Sequence, residues 1–335
     1  MKKYLLFFLS LMIGVVTFTS CSGDDDGPKI SDLEKRFFKI ENASYIDKSF
    51  PTKTTDDKIE GLSVNPKALA GGMNFITITT LKKYKKFFVG VKGVNGYWQT
   101  SDNNSRTSTS DYSTYIIPLL YSTELNSNMT MLISAEDEDD EITDVYETSI
   151  TYVDSESGDL NINLTFSNAK DVDLHLYTPS DEHIYYGHRG GSTTVDGKEV
   201  SYGLDHDSNA GCSIDNLNNE NIYLPAVLIV NGTYKVVVDM YSNCDRSIPT
   251  SWAIVTRYKG NIITPATGSN PASGVYAVNA GNGDHTTVMT FTINDGVSRA
   301  AAYNFLNRNR FTAIPTNDMD EMKMEEEAFR LDWTK

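Results

Sequence analysis

Several things are scarce in this 335-residue chain, and each scarcity excludes something. There are only three Cys, too few for a small disulfide-built scaffold. Positive charge is short: 29 Lys and Arg stand against 45 Asp and Glu, a formal charge of −16. Such a surface repels phosphate, so a nucleic-acid partner is excluded and docking by charge on anionic lipid is disfavoured. Signature motifs of catalysis are missing. There is no G-x-S-x-G, no H-E-x-x-H and no phosphate-binding loop. Ser167-Asn168-Ala169-Lys170 matches S-x-x-K but has none of its companion motifs. Carboxylate pairs are too common in an acidic chain to argue for a glycosidase.

The one long apolar run is Tyr4–Phe18, preceded by Lys2 and Lys3 and followed by Thr19-Ser20-Cys21. It is too short for a stable membrane span and reads as an export signal over residues 1–20. Small residues before a Cys resemble the bacterial lipoprotein cleavage box, with Phe18 where Leu is usual. The resemblance implies that Cys21 becomes the acylated first residue of the mature chain, held in outer-membrane lipid. Ser22-Gly23-Asp24-Asp25-Asp26 then looks like the start of Bacteroidetes-type lipoproteins, in which acidic residues after the Cys accompany export to the cell surface. Residues 21–35 read as a solvated tether. Without residues 1–20 the chain keeps 27 basic and 45 acidic residues, a charge of −18. Lipidation of Cys21 leaves Cys212 and Cys244, an even pair that suggests a disulfide in an exported protein.

The body reads as all-β. Runs such as Phe75–Thr80, Phe87–Val91, Tyr115–Tyr121, Thr130–Ser134 and Tyr146–Val153 are rich in Val, Ile, Thr, Tyr and Phe and are separated by turn residues. They predict an immunoglobulin-like β-sandwich over residues 36–153. After the polar joint Ser155–Gly158, a second series predicts another sandwich, immunoglobulin-like or jelly-roll-like, over residues 159–295. Its runs are Leu160–Phe166, Asp171–Tyr177, His183–Tyr186, Asn221–Val230, Thr233–Met240, Ser251–Tyr258 and Thr286–Ile293. Asn231-Gly232 predicts a hairpin turn between two of them. Residues 296–335 form a tail in which Asp318–Arg330 predicts a short helix.

Chemistry concentrates in the second module. In Asp171–Tyr177 the period of two places Val172, Leu174 and Leu176 toward a core and Asp171, Asp173 and His175 on the other face. Asp205-His206-Asp207-Ser208-Asn209 opens like a calcium loop, D-x-D-x-N, but Ala210 replaces the Gly at position six and Asn216 the Glu at position twelve. No EF-hand follows from that. An irregular oxygen site for Ca2+ built from Asp171, Asp173, Asp205, Asp207, Asn209 and Glu220 is one reading, and turn and solvation chemistry is the other. Zinc on His175 and His206 has no structural-zinc spacing behind it.

D-V-D-L-H-L-Y-T-P-S, I-Y-Y-G, G-L-D-H-D, E-N-I-Y-L and N-G-T-Y-K-V-V-V occur in that order. Together they resemble the YfaP-like bacterial domain of unknown function over residues 159–260. Ser180-Asp181 replaces the usual Asp-Gly turn, and Asn219 stands where Pro would precede Glu220. The resemblance implies a secreted β-sandwich in which Asp171, Asp173, Asp205, Asp207 and Glu220 form one constellation. It implies no reaction.

In the first module, Lys82–Lys86 and Glu136–Glu141 read as charge that keeps a sheet soluble. Tyr97 and Trp98, beside the loop 101–110, are candidate rings for stacking on a sugar, against core packing as the plainer alternative. The leading expectation is a non-enzymatic surface lipoprotein that binds or displays, its ligand a glycan or an envelope or adhesion partner. An assembly subunit docking through its C-terminal segment is second, and a secreted hydrolase third.

Overall fold

The computed structural model describes residues 31–101, 106–109 and 112–298. The lipidation site Cys21, the signal segment, the first part of the tether and the C-terminal helix expected over 318–330 lie outside the described residues. The protein is all-β, two sandwiches in one chain, as the strand-like runs predict. Among the described residues no helix is long and apolar enough to cross a membrane.

Order begins earlier than the composition suggests. Asp32–Arg36 is a short helix, not tether, and its Leu33 is fully buried in the first core. The signal was Ser31-Asp32-Leu33-Glu34, an S-x-x-E box: Ser31 Oγ accepts the Glu34 amide at 3.0 Å.

The first sandwich packs a five-stranded sheet on a six-stranded one. Phe38, Ile76, Ile78, Phe87, Val89, Ile117, Leu119, Met131 and Ile133 fill the space between them. The two charge runs neutralise each other across neighbouring strands. Lys86 stands opposite Glu136, with Nζ 2.8 Å from Oε1, and Lys85 reaches both Glu136 and Asp140.

Tyr97 and Trp98 are core residues, not a sugar platform. Their strand, Tyr97–Ser101, is paired on both sides, by Ser44–Ile46 and Tyr84–Val91. Trp98 points inward and its indole N–H donates to Phe38 O at 3.0 Å. Tyr97 points to the other face, where Phe50 and Phe88 cover it edge-on. Both rings are more than nine-tenths buried, which removes the faces a sugar would need.

The second sandwich packs a seven-stranded sheet on a five-stranded one. Leu160–Phe166 lies between Asn219–Leu224 and Thr250–Tyr258 in the first of these sheets. Asp171–Tyr177, Gly232–Ser242 and Asp284–Ile293 are consecutive neighbours in the second. Val172, Leu174 and Leu176 are fully buried, on the face the alternation assigns to the core.

The expected hairpin at Asn231-Gly232 does not form. The preceding strand stops at Leu224, Pro225 follows, and a 3-10 turn at Ala226–Leu228 carries the chain to the opposite sheet. Proline has no N–H for the ladder, which ends the strand there. Gly232, at φ +137°, packs where a Cβ would meet Pro179 Cβ at 2.6 Å. This sandwich also runs past residue 295, because Val297 bridges Val230 and Asn231 N–H donates to Val297 O.

The modules meet through a real interface. Met73, Phe75 and Leu120 of the first pack on Ala253 and Val255 of the second. Arg257 Nε donates to Gly71 O at 2.9 Å, and Asn65 Nδ2 donates to Leu217 O at 3.2 Å. The polar joint is therefore braced on both sides.

Cys212 and Cys244 form the expected disulfide, with Cα atoms 5.7 Å apart. It ties the loop after His206 to the end of the Gly232–Ser242 strand. Closing a loop of this length stabilises by roughly 3–4 kcal/mol in the chain-entropy account. The double variant Cys212→Ser/Cys244→Ser should lose that much in denaturant unfolding. An unchanged midpoint would mean that the loop is held by its hydrogen bonds alone.

Candidate metal centre

Three carboxylates meet at one edge of the second sandwich. Ligand oxygens of Asp173, Asp207 and Glu220 all lie within 4.8 Å of one another, a group that could hold a metal ion. Each comes from a different element. Asp173 is on the Asp171–Tyr177 strand, Asp207 follows the Lys198–His206 strand, and Glu220 comes from the opposite sheet.

Glu220 reaches across because that edge is open. The short His183–Ile184 strand covers only Leu176 and Tyr177. Leu174 N–H is left without a ladder partner on that side and donates to Glu220 Oε2 at 2.7 Å. Ser208 N–H donates to the other oxygen, Oε1, at 3.2 Å. Glu220 therefore clamps strand and loop together while standing 99% buried.

The loop 207–219 is shaped by residues that accept a left-handed backbone. Asn209, Gly211, Asn216 and Asn218 have φ between 52° and 63°. Asn209 is fully buried and organises the loop from within. Its Nδ2 donates to Lys170 O and to Asn218 Oδ1, both at 2.9 Å, and its Oδ1 accepts Asp215 N–H at 3.0 Å. Ser208 Oγ donates to Asp215 Oδ1 at 2.8 Å.

Not every predicted ligand joins the group. Asp171 is adjacent: it is buried, accepts Gly211 N–H at 2.7 Å, and lies beside Asp173. Asp205 faces away. It accepts the Glu156 amide at 2.7 Å and lies 3.4 Å from His206 Nε2. Asn209 spends both ends of its amide on the loop. His206 Nε2 contacts Asp154 O at 3.1 Å, so His175 and His206 do not converge.

The S-x-x-K match is also taken apart. Ser167 Oγ accepts Ser251 N–H, and the buried Lys170 donates to Ile248 O at 2.6 Å. Burial holds the Lys170 ammonium below its usual range.

The electrostatics of the group are unfavourable as it stands. Asp173 and Glu220 titrate well above the usual carboxylate range, chiefly because burial disfavours their charge and then because other carboxylates surround them. Burial pushes Asp171 up to about 6 and raises Asp207 as well. The nearest guanidinium, Arg189 Nη1, is 3.9 Å from Asp207 and only partly offsets this. Asp173 Oδ1 is buried with no hydrogen-bond partner. A buried carboxylate oxygen with no donor costs free energy that either a proton or a cation recovers. The donor set is oxygen only, which suits a hard cation rather than a thiophilic metal.

The fold and this group define an all-β protein with a buried acidic cage at the edge of its second sandwich. Scans of the chain against protein-family models and against curated proteins found no match.

Proposed function

We propose that the protein is a non-enzymatic lipoprotein, anchored through acylated Cys21 and displayed at the cell surface. In this reading its second sandwich is braced by Ca2+ in the Asp173–Asp207–Glu220 cage, with Asp171 alongside. The observation that carries the reading is the origin of those three carboxylates. A strand, a loop and the opposite sheet each contribute one, so a cation there ties a binding or display surface together. Two further features support an extracytoplasmic scaffold: the disulfide beside the cage and the braced joint between the modules. The YfaP-like resemblance of residues 159–260 agrees with a secreted sandwich. With Tyr97 and Trp98 inside the core, an envelope or adhesion protein is favoured over a glycan as the ligand.

Fractionation of cells tests the display claim. Protease added to intact cells should remove the wild-type protein. Cys21→Ala should leave the membrane fraction or accumulate as uncleaved precursor. A processed Cys21→Ala chain that still sediments with membranes, or a wild-type chain that external protease never reaches, would refute it.

A further inference from the structure

A sheet edge carries a row of N–H and C=O groups without partners, and proteins keep such edges short or block them with Lys or Pro. This chain does so almost everywhere. Among the described residues, all but one of the strands with a single neighbour have two to five residues. The longest of these, Ala272–Tyr276, follows directly on Pro271. The exception is Gly190–Val195 at the end of the seven-stranded sheet. Its six residues, Gly-Gly-Ser-Thr-Thr-Val, include no charge and no Pro.

That strand is the outer half of a hairpin with Lys198–His206. The turn is Asp196-Gly197, with φ +50° and +78°, the two left-handed residues a tight hairpin needs. Leu204 N–H donates to Arg189 O at 2.8 Å, so odd-numbered residues of the outer strand carry the hairpin's own ladder. By alternation, Ser192 and Thr194 turn their N–H and C=O groups the other way. No further strand lies on that side among the described residues, and both residues are exposed. The hairpin also projects. Lys198–His206 meets its other neighbour, Asn219–Leu224, only from Gly203 onward, so residues 191–202 form a two-stranded ribbon. Such a ribbon is marginal by itself and gains stability from added strands.

The occupant this edge fits is a second copy of itself. A chain of charge −16 repels its own copies, and like charges placed opposite each other across a strand pair destabilise it. Gly190–Val195 sets no such charges face to face. Its two ends differ in sign. Arg189 stands just before the strand, with its side chain 51% exposed, and Asp196 stands just after it, also exposed. Two copies running antiparallel place each basic end beside the other's acidic end. Parallel copies would set like against like. Antiparallel pairing is also what a two-fold axis generates. Ser and Thr in facing positions add cross-strand hydrogen bonds of their own.

We infer that Gly190–Val195 is a homodimer seam, at which a second copy of this chain adds its own Gly190–Val195 antiparallel. The two ribbons become one four-stranded sheet, joined by main-chain hydrogen bonds from Ser192 and Thr194. The inference does not depend on calcium in the acidic cage.

Sedimentation of the mature chain across the micromolar range tests it. The wild-type chain should dimerise. Ser192→Pro removes an outward N–H, and Thr194→Lys puts a charge on the seam. Each should weaken the dimer by about tenfold or more. Neither position donates to the hairpin's own ladder, so Thr194→Lys should keep the circular dichroism spectrum of the wild type. Ser192→Cys should give a reducible cross-linked dimer on oxidation. Glu199→Cys, exposed on the inner strand of the hairpin, should not. A wild-type chain that stays monomeric, or a dimer that Ser192→Pro and Thr194→Lys both leave unchanged, would overturn the seam. A chain that dimerises only after residues 299–335 are removed would place its own tail on this edge and equally overturn it.

Discussion

Millimolar Ca2+ should raise the melting temperature of the chelator-stripped protein by about 5–10 °C. The argument is mass action. A ligand that binds only the folded state adds about 2.7 kcal/mol at a hundred times its dissociation constant. Each kcal/mol moves the midpoint of a domain this size by roughly 2–4 °C. Asp207→Asn should abolish the rise, because it removes a charge and a ligand oxygen but not the loop's internal hydrogen bonds, which Asn209 and Ser208 make. Asp205→Asn should leave the rise intact, since that carboxylate is engaged by Glu156 outside the cage. Equal responses from the two variants would dissociate the effect from this site.

The same rise should depend on pH, with a definite sign. Asp171 goes from the ordinary 3.8 up to about 6 on folding, and burial and neighbouring carboxylates raise Asp173 and Glu220 well above their ordinary values. A carboxyl with a raised folded-state pKa contributes stability below its unfolded pKa. It loses that contribution as pH climbs through the folded value. The cation-free protein therefore carries a larger charge penalty at pH 8 than at pH 5, and the calcium-induced rise should be larger at pH 8. Melting curves with and without chelator at both pH values measure this directly.

Glu220 should show the second large effect. Glu220→Ala strips the acceptor from two backbone N–H groups, Leu174 and Ser208, in a place water does not reach. Each orphaned donor costs about 1–3 kcal/mol, so calcium-loaded protein should lose roughly 3–5 kcal/mol, on the order of 10 °C. Glu220→Gln separates charge from hydrogen bonding. It keeps one acceptor oxygen and removes one of the crowded negative charges. In chelator it should be as stable as wild type or more so, and in calcium less stable. A variant that is destabilised equally in both conditions would mean that Glu220 is only a structural clamp.

The hydrophobic architecture of the second module was legible in the sequence because its period is two. Val172, Leu174 and Leu176 could only face one way, and Asp173 followed from them. Asp207 was visible in D-x-D, but nothing in that spacing separated it from Asp205. The distinction is a β-bulge. Leu204 pairs with Ile222 and His206 with Asn221, so Asp205 is the extra residue and drops out of the alternation. Glu220 could be offered as a further oxygen ligand, and the ordered resemblance added weight, but no local pattern places it, since its reach depends on an unpaired edge in the other sheet. Asp239 was passed over although it alternates with Val238 and Met240 in a readable strand. Its significance is its cross-strand position opposite Asp173, which no local pattern encodes. Tyr97 and Trp98 misled for a related reason. Adjacent residues on a strand face opposite ways, and Tyr97, on the face away from the core, is covered by Phe88 and by a distant segment carrying Phe50.

The most direct measurement is a calorimetric titration of Ca2+ into the chelator-stripped mature chain, repeated with Asp207→Asn and Glu220→Gln. A calcium-braced sandwich predicts saturable binding of one ion per wild-type chain at the cage and none there in either variant. No saturable uptake by the wild-type protein, or uptake that both variants retain unchanged, would contradict it.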